Sequence, residues 1–137
     1  MFNNKVFSTP LKRIIVPGGD VIKNIKVGDN GYNGFGESYF SFINYKEIKG
    51  WKKHLEMTLN LTCPIGNVRF IFSKDLNEFK EIVLNKENNS RITVKPGIWF
   101  AFQGLYDQTS LINNVSDIVH NPKETVRKCI DEVNFTW

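Results

Sequence analysis

The sequence predicts an all-β domain, a sandwich or barrel of short antiparallel strands. Two observations carry this. Aromatic and β-branched segments of five or six residues recur along the chain, and proline, glycine or asparagine clusters separate them. In chain order, Ile14-Ile-Val-Pro-Gly-Gly-Asp20 reads as a first strand closed by a turn. The glycine-rich stretch Gly28 to Gly36 reads as a flap or turn series, because it lacks the Lys-Ser/Thr ending and the following helix of a phosphate loop. Ser38 to Ile43 is aromatic and β-branched. Met57 to Thr62 alternates strictly, with Met57, Leu59 and Leu61 on one face and Thr58, Asn60 and Thr62 on the other. Cys63-Pro-Ile-Gly-Asn67 supplies a turn, and Val68 to Phe72 is expected to pair back as the second arm of a hairpin. Further strands are expected at Phe79–Leu84, Arg91–Val94, Ile98–Gln103 and Ser110–Val115, and Asn121 to Ile130 as one short helix.

Length and composition bound the rest. A chain of 137 residues is expected to form one domain spanning 1–137, and 41% hydrophobic with 23% charged residues is ordinary globular composition. The longest apolar runs fall far short of the roughly 20 residues of a membrane span, so a cytoplasmic protein without a membrane partner is expected. Cys63 and Cys129 lie outside any C-x-x-C pair and are expected to be buried free thiols. With only His54 and His120, a three-histidine metal site cannot be built from the chain alone.

The net charge of +4 is local. Residues 1–66 carry nine Lys/Arg against five Asp/Glu, whereas residues 67–137 carry nine of each. Lys46, Lys49, Lys52 and Lys53 surround the single acid Glu47. Such a focus suits a small anion such as a diphosphate, and a nucleic-acid partner, which takes many spread contacts, is not expected.

The densest constellation is Lys49-Gly-Trp-Lys-Lys-His-Leu-Glu-Met-Thr-Leu-Asn60. Period-two geometry starting near Lys52 puts Lys52, His54, Glu56, Thr58 and Asn60 on one face, which either lines a cavity or meets water. Imidazole can take a proton from a carbon acidified by an adjacent ketone, which nominates His54 as a general base; a lone histidine can also be structural. Lys49, Lys52 and Lys53 could hold phosphate or stabilise an enolate oxygen, or be solvated surface. Trp99, Phe100, Phe102 and Tyr106, with Trp51 and Tyr39, could stack on a base or form core. Gln103 and Asn113 interrupt apolar runs as candidate inward polar groups, and Arg69 and Arg91 suit an outer face or an anion contact.

Taken in order, Lys49-Gly-Trp-Lys-Lys-His54, the alternating strand, Pro64-Ile-Gly-Asn-Val-Arg69, Lys95-Pro-Gly-Ile-Trp-Phe-Ala-Phe102, Ser116-Asp117 and Asn121-Pro122 resemble a known family. They look like the cupin sugar-nucleotide enzymes, the dTDP-4-dehydrorhamnose 3,5-epimerases and dTDP-4-keto-6-deoxyhexose 3,4-ketoisomerases, over about residues 14 to 125. The resemblance implies a cupin-type jelly-roll barrel of antiparallel strands with at most one short C-terminal helix. It also implies a homodimer that uses no metal and no cofactor. The expected ligand is a nucleoside diphosphate sugar with a 4-keto-6-deoxy ring, in surface polysaccharide or glycan biosynthesis.

Under that resemblance His54 and Lys52 are the expected catalytic residues. His54 would remove a proton beside the C4 ketone, with Lys52 or Lys49 near the developing enolate and Lys53 or Arg69 near the diphosphate. Trp51, Thr58, Asn60, Trp99, Gln103 and Tyr39 complete the expected substrate contacts. The chain departs from the family at three places: Lys52 stands where the first histidine of the motif would be, and Phe100 occupies the place of a further epimerase histidine. Ile118-Val119-His120 follows Ser116-Asp117 where epimerases carry an acidic tyrosine. A non-catalytic sugar-nucleotide-binding cupin, or a degenerate partner subunit of an active enzyme, is the alternative.

Overall fold

The computed structural model describes Phe2 and residues 4–137. Its strands are β1 (Val6–Pro10), β2 (Arg13–Ile14), β3 (Val21–Ile22), β4 (Glu37–Ile43), β5 (Ile48–His54), β6 (Leu59–Ile65), β7 (Val68–Ser73), β8 (Phe79–Leu84), β9 (Ser90–Val94), β10 (Trp99–Gly104), β11 (Ser110–Ser116) and β12 (Thr125–Arg127). They form two five-stranded antiparallel sheets, ordered β1-β9-β6-β11-β4 and β12-β5-β10-β7-β8, with β2 and β3 as a separate ribbon. This is the all-β jelly-roll architecture that the strand spacing and the resemblance led one to expect.

Period-two alternation dictates the layering. Leu59 and Leu61 of β6 and Ile112 of β11 point from one sheet toward Phe70 and Phe72 of β7 in the other, and this apolar filling is the main core. Each such ring or branched chain taken out of water contributes about 2 kcal/mol.

That filling corrects one expectation. Residues 57–62 and 68–72 do not pair as a hairpin: β6 pairs with β9 and β11, and β7 pairs with β8 and β10. The apolar faces of β6 and β7 face each other across the core, which requires the two strands to lie in opposite layers. Gly66, at φ 114°, makes the crossing tight against Ser110, and a side chain there would meet the Ser110 Cα at 2.7 Å.

The outer face of each sheet is also covered. On the first, the arm between β2 and β4 lies over Arg91, Asn60 and Asn113. Arg91 donates to the carbonyls of Asn24 and Asn30, Asn60 Nδ2 to the Gly31 carbonyl at 3.0 Å, and Asn24 Nδ2 to Asn113 Oδ1 at 3.1 Å. The glycine-rich stretch is thus part of a packed cover. On the second sheet, the C-terminal residues Val133, Phe135 and Trp137 pack on Trp51, Ile71 and Trp99.

The segment 121–130 is not a helix. A 3-10 turn at Pro122–Glu124, capped by the Asn121 side chain, leads into β12, which pairs with β5, and a second 3-10 turn spans Ile130–Glu132. Strand pairing to an open sheet edge satisfies more backbone groups there than one isolated helical turn. Cys63 is buried, and burial pushes its thiol up to about 11, whereas Cys129 is exposed, contrary to expectation. Among the described residues no helix is long and apolar enough to cross a membrane.

Candidate active site

A cavity of about 200 Å³ opens between the two sheets. Tyr39, Ser41, Leu59, Leu61, Ile112 and Asn114 line it from the first sheet, and Lys49, Gly50, Lys52, Phe70, Phe100, Phe102 and Arg127 from the second. Its walls are mostly apolar, with a few polar groups converging, which is the usual composition of a small-molecule site.

Lys49 and Lys52 share the cavity wall although they are three residues apart, an odd spacing that a regular strand would split between its faces. A β-bulge restores the phase. In the β5–β10 pairing, Phe100 opposes Lys52 and Ala101 opposes Gly50, so Trp51 is the extra residue and turns outward. Gly50, at φ 145°, is pressed against β10, where a Cβ would stand 2.7 Å from Ala101 Cα. Gly50→Ala is expected to cost about 2 kcal/mol and to weaken ligand binding, because the bulge aims both lysines. Thermal denaturation and ligand titration of the same variant check this; an unchanged melting temperature would contradict it.

His54 follows Lys52 on the inner side of β5. It is buried and stacks on Phe100, with ring centroids 6.2 Å apart; Phe100 lines the cavity, whereas His54 itself is not among the lining residues. Its Nδ1–H donates to Glu124 Oε1, and its Nε2 is buried without a partner among the described residues. Burial pushes the imidazole below its ordinary value, and the Glu124 carboxylate offsets part of this. The ring is therefore neutral near pH 7, with the tautomer set by Glu124 and a free lone pair on Nε2.

Glu124 is buried and heavily engaged. Its Oε2 accepts the backbone N–H groups of Leu55, Glu56 and Met57 at 3.1, 3.1 and 3.2 Å, and its Oε1 accepts the Thr125 hydroxyl at 3.1 Å. Burial opposes ionisation, but the hydrogen bonds from His54 and from Glu56 and Met57 outweigh it and hold the carboxyl at about 2.

This corner also explains where the period-two reading breaks. Residues 55–58 are irregular and carry the chain from one sheet to the other. After the crossing, Leu59 and Leu61 face the cavity, and Thr58 and Asn60 stand on the opposite side of their sheet. The Thr58 N–H donates to Asp117 Oδ1 at 2.7 Å, and Asn60 is held by Gly31, Asn114 and Thr93. Glu56 is exposed.

The structure divides the remaining sequence candidates between two faces. Tyr39, Lys49 and Lys52 meet in the cavity. Trp51 and Trp99 are buried on the outer side of the second sheet, Lys53 lies over the Trp99 ring at 4.9 Å, and Arg69 is paired with Glu81 at 2.7 Å beside Phe135 and Trp137. Gln103 alternates outward with Trp99 and Ala101, opposite the inward Phe100 and Phe102. Asn113 faces the covering arm and Arg91 lies beneath it.

Asn114, Arg127 and Glu124 are among the cavity or near-cavity residues that escaped the sequence reading. Asn114 sits in the Asn113-Asn114 pair that interrupts an apolar strand, and only its phase distinguishes it. Its Oδ1 accepts the Asn60 N–H at 3.1 Å, which aims Nδ2 at the Tyr39 hydroxyl oxygen at 2.7 Å. The Tyr39 proton is thereby left to donate elsewhere, and burial pushes the phenol above its ordinary value, keeping it protonated. Glu124 carries no local signal, since it meets His54 across 70 residues. Among the described residues no three His, Cys, Asp or Glu side chains cluster to hold a metal ion.

Fold and cavity together define a jelly-roll barrel with a cavity between its two sheets. No protein-family model and no curated protein matches the chain. Solved structures do. The chain superposes on a dTDP sugar isomerase from Desulfovibrio desulfuricans G20 with a TM-score of 0.91 at 24% identity, covering 98% of this chain and 91% of that one. It matches the sugar 3,4-ketoisomerase QdtA from Thermoanaerobacterium thermosaccharolyticum, crystallised with TDP, at 0.79 and 18% identity over 96% of each chain. A dTDP-4-dehydrorhamnose 3,5-epimerase from Elizabethkingia anophelis NUHP1 gives 0.76 at 16% identity, over 98% of this chain and 81% of that one. At these identities the likeness is one of fold.

Proposed function

We propose that the protein is a sugar-nucleotide isomerase or epimerase that moves a proton on a carbon next to the ketone of a nucleoside diphosphate-linked 4-keto-6-deoxy sugar, in surface polysaccharide or glycan biosynthesis. The observation that carries this reading is the His54–Glu124 pair, whose Nε2 has no partner among the described residues, stacked on Phe100 beside a cavity lined by Phe100, Lys52 and Tyr39. A volume of about 200 Å³ suits a sugar ring. The diphosphate then lies outside, where Lys49 and Arg127 form an exposed cationic rim; Lys53 and Arg69, on the outer face, are too far round the barrel to serve.

His54 accepts the proton, with Glu124 stabilising the imidazolium that results. Tyr39 donates to the ketone oxygen, and Lys52 adds positive potential where negative charge develops. The exposed Phe40 and Phe42 on the edge strand β4 support the homodimer that the resemblance implies.

The test is solvent deuterium exchange into TDP-4-keto-6-deoxyglucose, followed by NMR. Exchange at the carbon beside the ketone is expected with the native chain and is expected to fall by at least about 100-fold in His54→Asn, the usual loss on removing a general base. Undiminished exchange in that variant would sink the assignment of His54. Tight binding with no exchange at any carbon would select the non-catalytic binding cupin instead.

A further inference from the structure

We propose that Lys52 is a nucleophilic amine that forms an imine with the ketone of the ligand bound in the cavity. The inference rests on the reading that the cavity holds a ketone.

The surroundings of Lys52 set it apart from its neighbours. Lys49 Nζ is tied to the Phe42 carbonyl at 2.6 Å, and Lys53 lies over Trp99. Lys52 has neither a hydrogen bond nor an ion pair among the described residues, although it is half-buried and lines the cavity. Its cross-strand partner on one side is Phe100 and on the other is Arg127. An apolar ring and a like charge flank it, and both disfavour the ammonium form. Burial first, and then Arg127, push its pKa below the ordinary lysine value, while Glu124 offsets this weakly. Desolvation together with a neighbouring cation is the established way to make a lysine nucleophilic toward carbonyl groups.

The step balances. The Lys52 nitrogen forms a bond to the carbonyl carbon, the carbonyl oxygen departs as water carrying the two amine hydrogens, and a solvent proton converts the imine to an iminium. His54, two residues further along the same strand, takes the adjacent C–H proton. The C–H electron pair becomes a C=C bond as the iminium nitrogen is neutralised to an enamine. Reprotonation of carbon and addition of water return the ketone and the free lysine. An iminium is itself an electron sink, so this route takes the place of the enolate step, with Lys52 bonded to the carbon instead of standing as a cation beside the oxygen.

The experiment is borohydride trapping. The native protein is incubated with TDP-4-keto-6-deoxyglucose, reduced, and examined by intact-mass and peptide mass spectrometry, with calorimetric binding and deuterium exchange measured on the same samples. The expected result is a mass gain equal to the ligand less one oxygen atom, located on Lys52. It is expected to be retained in His54→Asn, which loses exchange, and absent in Lys52→Arg. Exchange of the ketone oxygen with labelled water is expected to be faster with the native protein than with Lys52→Arg. Binding and exchange without an adduct, or an adduct undiminished in Lys52→Arg, would overturn the imine and leave the proposed function standing. Absence of binding would overturn both.

Discussion

Glu124→Ala is expected to lower stability by about 3 kcal/mol, or roughly 10 °C in melting temperature. The carboxylate accepts three backbone N–H groups of the 55–57 corner as well as His54 and Thr125, and it is 3% exposed. Deleting it leaves the buried Met57 N–H and His54 Nδ1–H without their acceptor, whereas the Leu55 N–H keeps the Glu124 backbone carbonyl at 2.8 Å. Glu124→Gln is expected to hold the corner better, because its amide oxygen can accept the backbone N–H groups while its NH₂ group donates to His54 Nδ1. That contact forces the ring into the Nε2–H tautomer, which removes the free Nε2 lone pair. Proton transfer is expected to suffer in both variants through the lost tautomer control of His54, and deuterium exchange on folded protein reads this separately from stability.

The same group carries an acid limb. Its folded value of about 2 lies below the ordinary 4.5, so its contribution is complete above about pH 4.5 and disappears as pH falls through about 2. Asp20, Asp29 and Asp75 are also held below their ordinary value, chiefly by hydrogen bonds from Arg13, the Lys26 backbone and the Glu78 backbone respectively. The loss of melting temperature between pH 4.5 and 2 is therefore expected to be shallower in Glu124→Ala than in the native protein, without vanishing. An identical acid profile in the two would contradict the placement of Glu124.

Trp51→Ala is expected to be the most damaging single truncation outside the main core, at about 4 kcal/mol. Trp51 is fully buried and packs on Phe79, Phe135 and Trp137, with centroids 5.8, 6.2 and 5.9 Å away. Its removal opens a void beneath the C-terminal residues, so faster proteolysis after residue 128 is expected alongside the lower denaturation midpoint. The conservative Trp51→Phe retains most of the contact and is expected to bind TDP as the native chain does. This combination separates a packing role from the substrate contact that its place in the lysine-rich segment suggested. A large loss of TDP binding in Trp51→Phe, with stability intact, would restore the contact role.

Much of the layout was legible in the residues. The alternation of 57–62, the aromatic strands and the Pro-Gly turns are local properties, and each strand they predicted exists within a few residues of its expected place. His54 and Lys52 were nominated together because a period of two puts them on one face, and β5 keeps that period from Lys52 onward. What local pattern could not reveal was which face looks inward and which strands become neighbours. The irregular corner at 55–58 flips the phase between His54 and Leu59, the bulge at Gly50 shifts it again, and both arise from pairing with segments dozens of residues away. Short strands such as β1 and β12 were not foreseen, since an open sheet edge, and not their own sequence, makes them strands.

Strand content, the lysine focus and the one histidine on a predicted strand were readable from the residues themselves, because propensity, charge and side-chain chemistry belong to single residues and their near neighbours. Tertiary structure alone decided that Glu124 completes the pair with His54, that Asn114 aims Tyr39, and that Trp51, Trp99, Lys53 and Arg69 belong to an outer packing surface. Each of those outcomes depends on a contact closed by the folding of two sheets onto one another, and no interaction between residues dozens of positions apart is written in the period of either strand.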